Sequence, residues 1–102
     1  MNAAARRVLA ALYAVTVAET PYGGQARTYE LLGQIWLNPG KVGARRRSGP
    51  DGQKRIETRR ATAGPDPRLN SGRVLAVEGV RWRILAVSAG PAETELELER
   101  LT

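Results

Sequence analysis

The chain contains no cysteine, no histidine and no phenylalanine. The first absence removes disulfides, thiolate nucleophiles and cysteine-based metal sites together. The second removes the commonest general base and the commonest metal ligand. An enzyme built on this sequence would have to run on carboxylates, hydroxyls or lysine, and no metal or cofactor is expected. Aromatic residues are scarce, two Trp and three Tyr among 102 residues. Trp36 and Trp82 are therefore expected to anchor the core, with Ile84 facing the same way as Trp82. No apolar run reaches the ~20 residues that a membrane-spanning helix needs, and no membrane partner is expected.

What is present is positive charge, concentrated in one place. Between residues 41 and 60 stand eight cations, Lys41, Arg45, Arg46, Arg47, Lys54, Arg55, Arg59 and Arg60, with two anions, Asp51 and Glu57. Their sum is +6, the net charge of the whole chain, so everything outside that stretch is electrically balanced. Gly43, Gly49, Pro50 and Gly52 interrupt the same stretch, which argues against a regular helix or a central strand. The expectation is a single domain over residues 1–102, a compact neutral body holding a long, flexible, basic loop over residues 39–60. Such a loop meets phosphate or an acidic protein surface, or it is a solvated connector. The segment lacks the interleaved aromatics of single-strand and RNA binders, so its contact with nucleic acid would be sequence-blind and salt-dependent.

Along the chain, Arg6 and Arg7 precede an apolar run about as long as the core of a signal peptide, with Thr16-Val17-Ala18 as a candidate small-residue cleavage site. We read the segment as retained. Its alternative description is a helix over Ala3 to Leu12, rich in good helix formers, followed by a strand from Tyr13 to Glu19. Pro21-Tyr22-Gly23-Gly24 has the composition of a turn. An apolar stretch resumes from Thr28 to Leu37. Residues 53–62 are strand-compatible and could leave one side of a hairpin ribbon basic, with Arg55 and Arg59 on one side and Arg60 on the other. The last third is the most legible. Arg73 to Glu78 and Val80 to Val87 are apolar runs split by a tight turn at Glu78-Gly79. Val80, Trp82, Ile84 and Ala86 are expected inward, as are Leu96 and Leu98 of the closing strand. Five to six strands with a turn about every ten residues predict a mainly β fold, a small antiparallel barrel or sandwich.

Glu93, Glu95, Glu97 and Glu99 alternate with period two. That places them on one solvent face, where they read as a solvated stripe rather than a carboxylate pair for catalysis. An acidic stripe together with a basic loop suggests head-to-tail packing between copies, as rings require. Gly23-Gly24 lacks the lysine and helix start of a phosphate-binding loop. Thr58, Thr62 and Thr94 have no base nearby in sequence. Nothing in the chain argues for catalysis.

Three stretches, taken in order, resemble the head–tail joining proteins of tailed bacteriophages and gene transfer agents, also called head-closure or stopper proteins. They are Val15-Thr16-Val17 with Pro21-Tyr22-Gly23-Gly24 and Tyr29 through Trp36 to Pro39; the glycine-containing basic segment from Gly40 to Arg60; and Gly72 through Trp82 to Leu85 with the closing Glu-Leu-Glu-Leu strand. The resemblance implies a small β-barrel in a ring of about six or twelve copies, placed in the virion between portal or adaptor and the tail terminator or tail tube. It also implies loops that point at the channel and help retain packaged DNA without reading its sequence. The alternative that composition leaves open is a small monomeric basic β-barrel that binds nucleic acid.

Overall fold

The computed structural model describes residues 7–49 and 52–101. Six strands follow one another: β1 (Val8–Glu19), β2 (Gln25–Gly49), β3 (Gly52–Ala63), β4 (Val74–Val77), β5 (Val80–Ala89) and β6 (Thr94–Arg100). They close into an all-antiparallel barrel in the order β1-β2-β3-β6-β5-β4. No helix occurs among the described residues. The expected mainly β barrel is the fold.

Alternation along each strand fills the barrel. Ala10 and Leu12, Ile35 and Leu37, Ala61 and Ala63, Leu75 and Val77, Trp82 and Ile84, and Leu96 and Leu98 form its core, a pair from every strand. Leu69, from the connector between β3 and β4, joins the same cluster. The three buried alanines leave room for the Trp82 ring in a narrow lumen. Turn chemistry sets the corners. Glu78 and Gly79 both have positive φ, 50° and 82°, as a two-residue hairpin with the twist of its strands demands.

β2 is 25 residues long, more than a barrel this small can hold. It pairs with β1 from Gln25 to Leu37 and with β3 from Leu37 to Gly49, so it passes through the barrel wall and projects at both ends. Residues 14–19 of β1 pair only with β2, and residues 52–57 of β3 likewise, giving two hairpin arms. The arms account for a longest dimension of 55 Å and a radius of gyration of 15.2 Å, against about 13 Å for a compact chain of this length.

Five expectations are corrected by this arrangement. The helix over Ala3 to Leu12 is absent where it can be seen: Val8 to Leu12 pair with β2, and Ala11 and Leu12 also pair with β4, while residues 2–6 lie outside the described residues. Pairing on both edges and burial of Ala10 and Leu12 outweigh a helix propensity worth tenths of a kcal/mol per residue. Where a flexible loop was expected over residues 39–60, residues 39–49 and 52–60 belong instead to the paired strands β2 and β3. Trp36 is not a core anchor; it lies between inward Ile35 and Leu37 and so faces out, 53% exposed. Trp82 and Ile84 are buried, but Ala86 points outward. Leu85 is an extra residue opposite β6, where Ile84 pairs with Leu98 and Ala86 with Glu97, and this bulge returns Val87 to the core instead. In β6, Glu99 is buried and its carboxylate takes a 2.6 Å bond from Arg83 Nη2, so the solvated stripe stops at Glu97.

A second bulge joins the connector to β2. Leu12 pairs with Gly33 and Tyr13 with Leu31, leaving Leu32 unpaired on the ladder. The freed Leu32 carbonyl accepts Arg68 Nη1 at 3.0 Å. Arg68 is aimed by Asp66, whose carboxylate accepts its Nε at 3.1 Å and Nη2 at 2.8 Å. Gly33 makes room for this. Its φ is 148°, and a Cβ there would stand 2.3 Å from Arg68 Nη1. The Arg68 guanidinium in turn holds the Asp66 carboxyl below its ordinary pKa of 3.8.

Candidate functional site: a cationic ribbon

The β2–β3 arm carries the charge. Its register opposes Ala44 to Glu57, Arg45 to Ile56, Arg46 to Arg55, Arg47 to Lys54 and Ser48 to Gln53. The Arg46–Arg55 rung thus sets cation against cation, and Arg47 is the register partner of Lys54. Like charges directly opposite one another weaken a β-ladder. The fold spends stability here, and a polyanion laid along the arm would return it.

A bulge at the arm's base fixes its direction. Pro39 pairs with Ala61 and Val42 with Arg59, so Gly40 and Lys41 together face Arg60. Arg59 locks this bend, its Nε and Nη2 donating to the Gly40 carbonyl at 3.2 and 2.8 Å. Its guanidinium also lies 5.1 Å from the centroid of the Trp82 ring, tying the arm to the core. Gly40 is required for this fit, since a Cβ would come within 2.8 Å of the Arg60 carbonyl oxygen. Glu57 is likewise engaged, accepting Arg100 Nη1 at 2.9 Å.

The eight cations singled out in the sequence therefore separate by role. Arg59 is a brace. Lys41, Arg45 and Arg60 line one open groove of about 430 Å3 with Thr58, Leu85 and Glu97, and Arg59 contributes to the same lining. Arg46 and Arg55, opposite each other in register, fall on the other side of the arm, with Arg59 and Glu57. Lys54 shares the register side of Arg45 and Arg60, and Arg47 stands opposite it on the ladder. One side of the ribbon carries described cations with no carboxylate of its own strands. The other mixes cations with Glu57. The arrangement can hold phosphates along an extended backbone by charge, and nothing in it selects a base.

Among the described residues no group of three or more His, Cys, Asp or Glu comes together. Sequence reasoning missed two features. The first is the Asp66–Arg68 buttress, whose only local sign is an Asx-type spacing after Pro65. The second is the other arm: Tyr22, at its tip, is 97% exposed. The tip itself is fastened by Thr20 and Gly24, with Thr20 N donating to the Gly24 carbonyl at 2.8 Å and Gly24 N to Thr20 Oγ1 at 3.0 Å.

Two solved structures share this architecture. A chain of the virion of a native gene transfer agent particle superimposes with a TM-score of 0.69 at 14% identity, covering 92% of this chain and 94% of that one. The protein xkdH of the phage-like element PBSX from Bacillus subtilis superimposes with a TM-score of 0.61 at 8% identity, covering 93% and 96%. No protein-family model matches the chain, and no curated protein sequence matches it. At these identities the likeness is one of fold, and it runs nearly end to end in each pair.

Proposed function

We propose that this protein is a structural head–tail connector of a phage-like particle, a stopper or head-closure subunit rather than an enzyme. In this reading copies form a ring between the portal or adaptor and the tail, in the virion. The ribbon of each copy points at the channel and helps hold packaged DNA without reading sequence. The observation that carries the reading is the Arg46–Arg55 rung, flanked by Arg45 and Lys54, on an arm none of whose described residues joins the core cluster. A merely structural hairpin would not gather cations across its own ladder, whereas a backbone-phosphate contact needs them. End-to-end likeness to a gene transfer agent virion chain and to a protein of a phage-like element supports the setting.

The test is electron microscopy of particles from a producing strain with this gene deleted. Filled or leaked heads beside separate finished tails are expected. Normal tailed particles would remove the connector role. The same ribbon would then favour a monomeric basic barrel that binds nucleic acid, with affinity falling steeply in salt.

A further inference from the structure

We propose that the outer face of the β1–β2 pair is the seat for a second copy of this chain, which presents to it the outer side of β5 and β6. The inference rests on the ring reading above in its choice of a second copy, and goes beyond it in assigning the two surfaces.

Register puts Leu9 beside Trp36, Tyr13 beside Leu31, Val15 beside Tyr29 and Val17 beside Arg27, all on the side of the sheet away from the core. Leu9, Val17 and Leu31 are 43%, 51% and 58% exposed. With Trp36 they make up most of the exposed large hydrophobics among the described residues, gathered in one stripe rather than scattered. The Leu32 bulge creates this stripe. Without it, alternation from Trp36 would turn Leu31, Tyr29 and Arg27 to the opposite side. Tyr13 and Tyr29 meet edge to face at 6.4 Å between centroids, which stiffens the surface. Arginines rim it: Arg81 lies 4.8 Å from the Tyr29 centroid and Arg7 lies 5.3 Å from that of Trp36. An apolar strip bordered by guanidiniums fits a partner with an apolar centre and carboxylates at its edge. Two such strips cannot face each other, because their arginines would meet.

The chain carries the complementary surface itself. β6 stands three places from β1 in the closed strand order, on the opposite wall. There Glu95 is exposed, opposite Thr62 on β3 and Ser88 on β5, so no cation faces it across either ladder; Glu97, also exposed, stands opposite Arg60, and Arg83 on β5 is paired with Glu99. On the same wall Pro65, Pro67, Leu85, Ala86 and Ala89 line an open groove of about 770 Å3, with Asp66, Asn70, Ser71 and Thr94 as its polar members. An apolar, arginine-rimmed wall on one side and an apolar, glutamate-flanked wall on the other produce a heterologous contact. Repeated, it generates a ring or a filament, never a closed two-fold dimer.

The lack of native cysteine makes the test clean. Full-length chain carrying both Leu31→Cys and Ser88→Cys is concentrated and treated with a short bis-maleimide. Both positions are exposed, Ser88 opposite Glu95 in register, and on opposite walls. A ladder of covalent oligomers from the double variant, with no product from either single variant, is the expected result. A covalent dimer from Leu31→Cys alone would show stripe meeting stripe and overturn the assignment. So would a double variant that yields no ladder, whether the chain is oligomeric by light scattering or monomeric at millimolar concentration. As a second readout, Leu31→Asp should weaken self-association about tenfold or more with unchanged thermal unfolding. Failure here and failure of the connector reading are separable. A different cross-linking pattern moves the interface and leaves the ring, whereas only the deletion phenotype removes the particle role.

Discussion

β2 supplies one strand to each of two hairpin arms, and the two have opposite chemistry. The β1–β2 arm and the sheet at its base are apolar on the outer face, with valine, leucine and tyrosine beside arginines that stack on rings. The β2–β3 arm sets cation against cation and places no large side chain in the core. Edge strands in general are kept from unwanted pairing by charge. The ribbon is protected in that way, and the β1–β2 arm, with Val15-Thr16-Val17 at its edge, is not. The difference suits the two arms to different partners, the first to protein and the second to phosphate, as proposed above. Both arms nevertheless depend on the same barrel.

The largest expected effect removes that common platform. Trp82→Ala empties the middle of the lumen and strips the ring on which Arg59 rests. It should cost about 3–5 kcal/mol in denaturant unfolding. That loss would loosen both arms together, and a smaller loss confined to the ribbon would mean that the arms are independent of the core.

Two glycine substitutions separate the arms. Gly40→Ala forces a Cβ onto the Arg60 carbonyl, a backbone atom that cannot swing away, and should cost about 1–3 kcal/mol. Hydrogen exchange should report the loosening in residues 42–59. Gly33→Ala meets instead the end of Arg68, and its strain from a φ of 148° belongs to the β1–β2 side. A cost of about 1–3 kcal/mol is expected, with exchange rising in residues 25–37. Identical exchange patterns from the two variants would abolish the distinction drawn here.

A pH measurement sharpens the same point. Asp66 is held below its ordinary pKa of 3.8 by Arg68. The unfolded chain therefore takes up this proton first as pH falls. The contribution is fully present above that ordinary value and is lost as pH drops below it. Asp66→Asn should flatten this part of the stability profile. The connector at Leu32 should then fray before the ribbon does.

The smallest effect on stability should accompany the largest on binding. Reversing charge at Arg45, Arg46 and Arg47 to Glu should leave the far-ultraviolet spectrum intact, with changes within about 0.5 kcal/mol at each site. Affinity for duplex DNA and the slope of its salt dependence should both fall. Loss of the folded spectrum would make the ribbon a structural element rather than a contact.

Much of this was readable from the chain. The alternation of Trp82 with Ile84 and of Leu96 with Leu98, the Glu78-Gly79 turn and the confinement of charge to residues 41–60 are local signals, and the fold respects them. What could not be read depends on pairing. A bulge is a relation between two strands, so Leu85 and Leu32 carry no mark in the sequence, yet each reverses the facing of every residue beyond it as far as the next irregularity. Val8 to Leu12 reads as helix because its alanines and leucines favour that state by tenths of a kcal/mol, a preference overridden once β2 and β4 claim its edges. Trp36 reads as core from its size, and only the inward positions of Ile35 and Leu37 turn it out. The ribbon was legible as charge, and its second half, residues 53–62, as strand; its first half, residues 39–49, was not. Arginines are tolerated on a two-stranded arm whose faces both meet water, a setting that no propensity encodes.

Because each arm leaves the barrel as a plain hairpin, its length is decoupled from the core. Adding or removing cross-strand pairs at the tip changes how far the arm extends by about 3.3 Å per pair, with no buried side chain disturbed. Such a chain can be refitted to a wider or narrower assembly by small insertions and deletions alone. Low sequence identity under a retained architecture, as in the two structural likenesses, is what that freedom would leave behind.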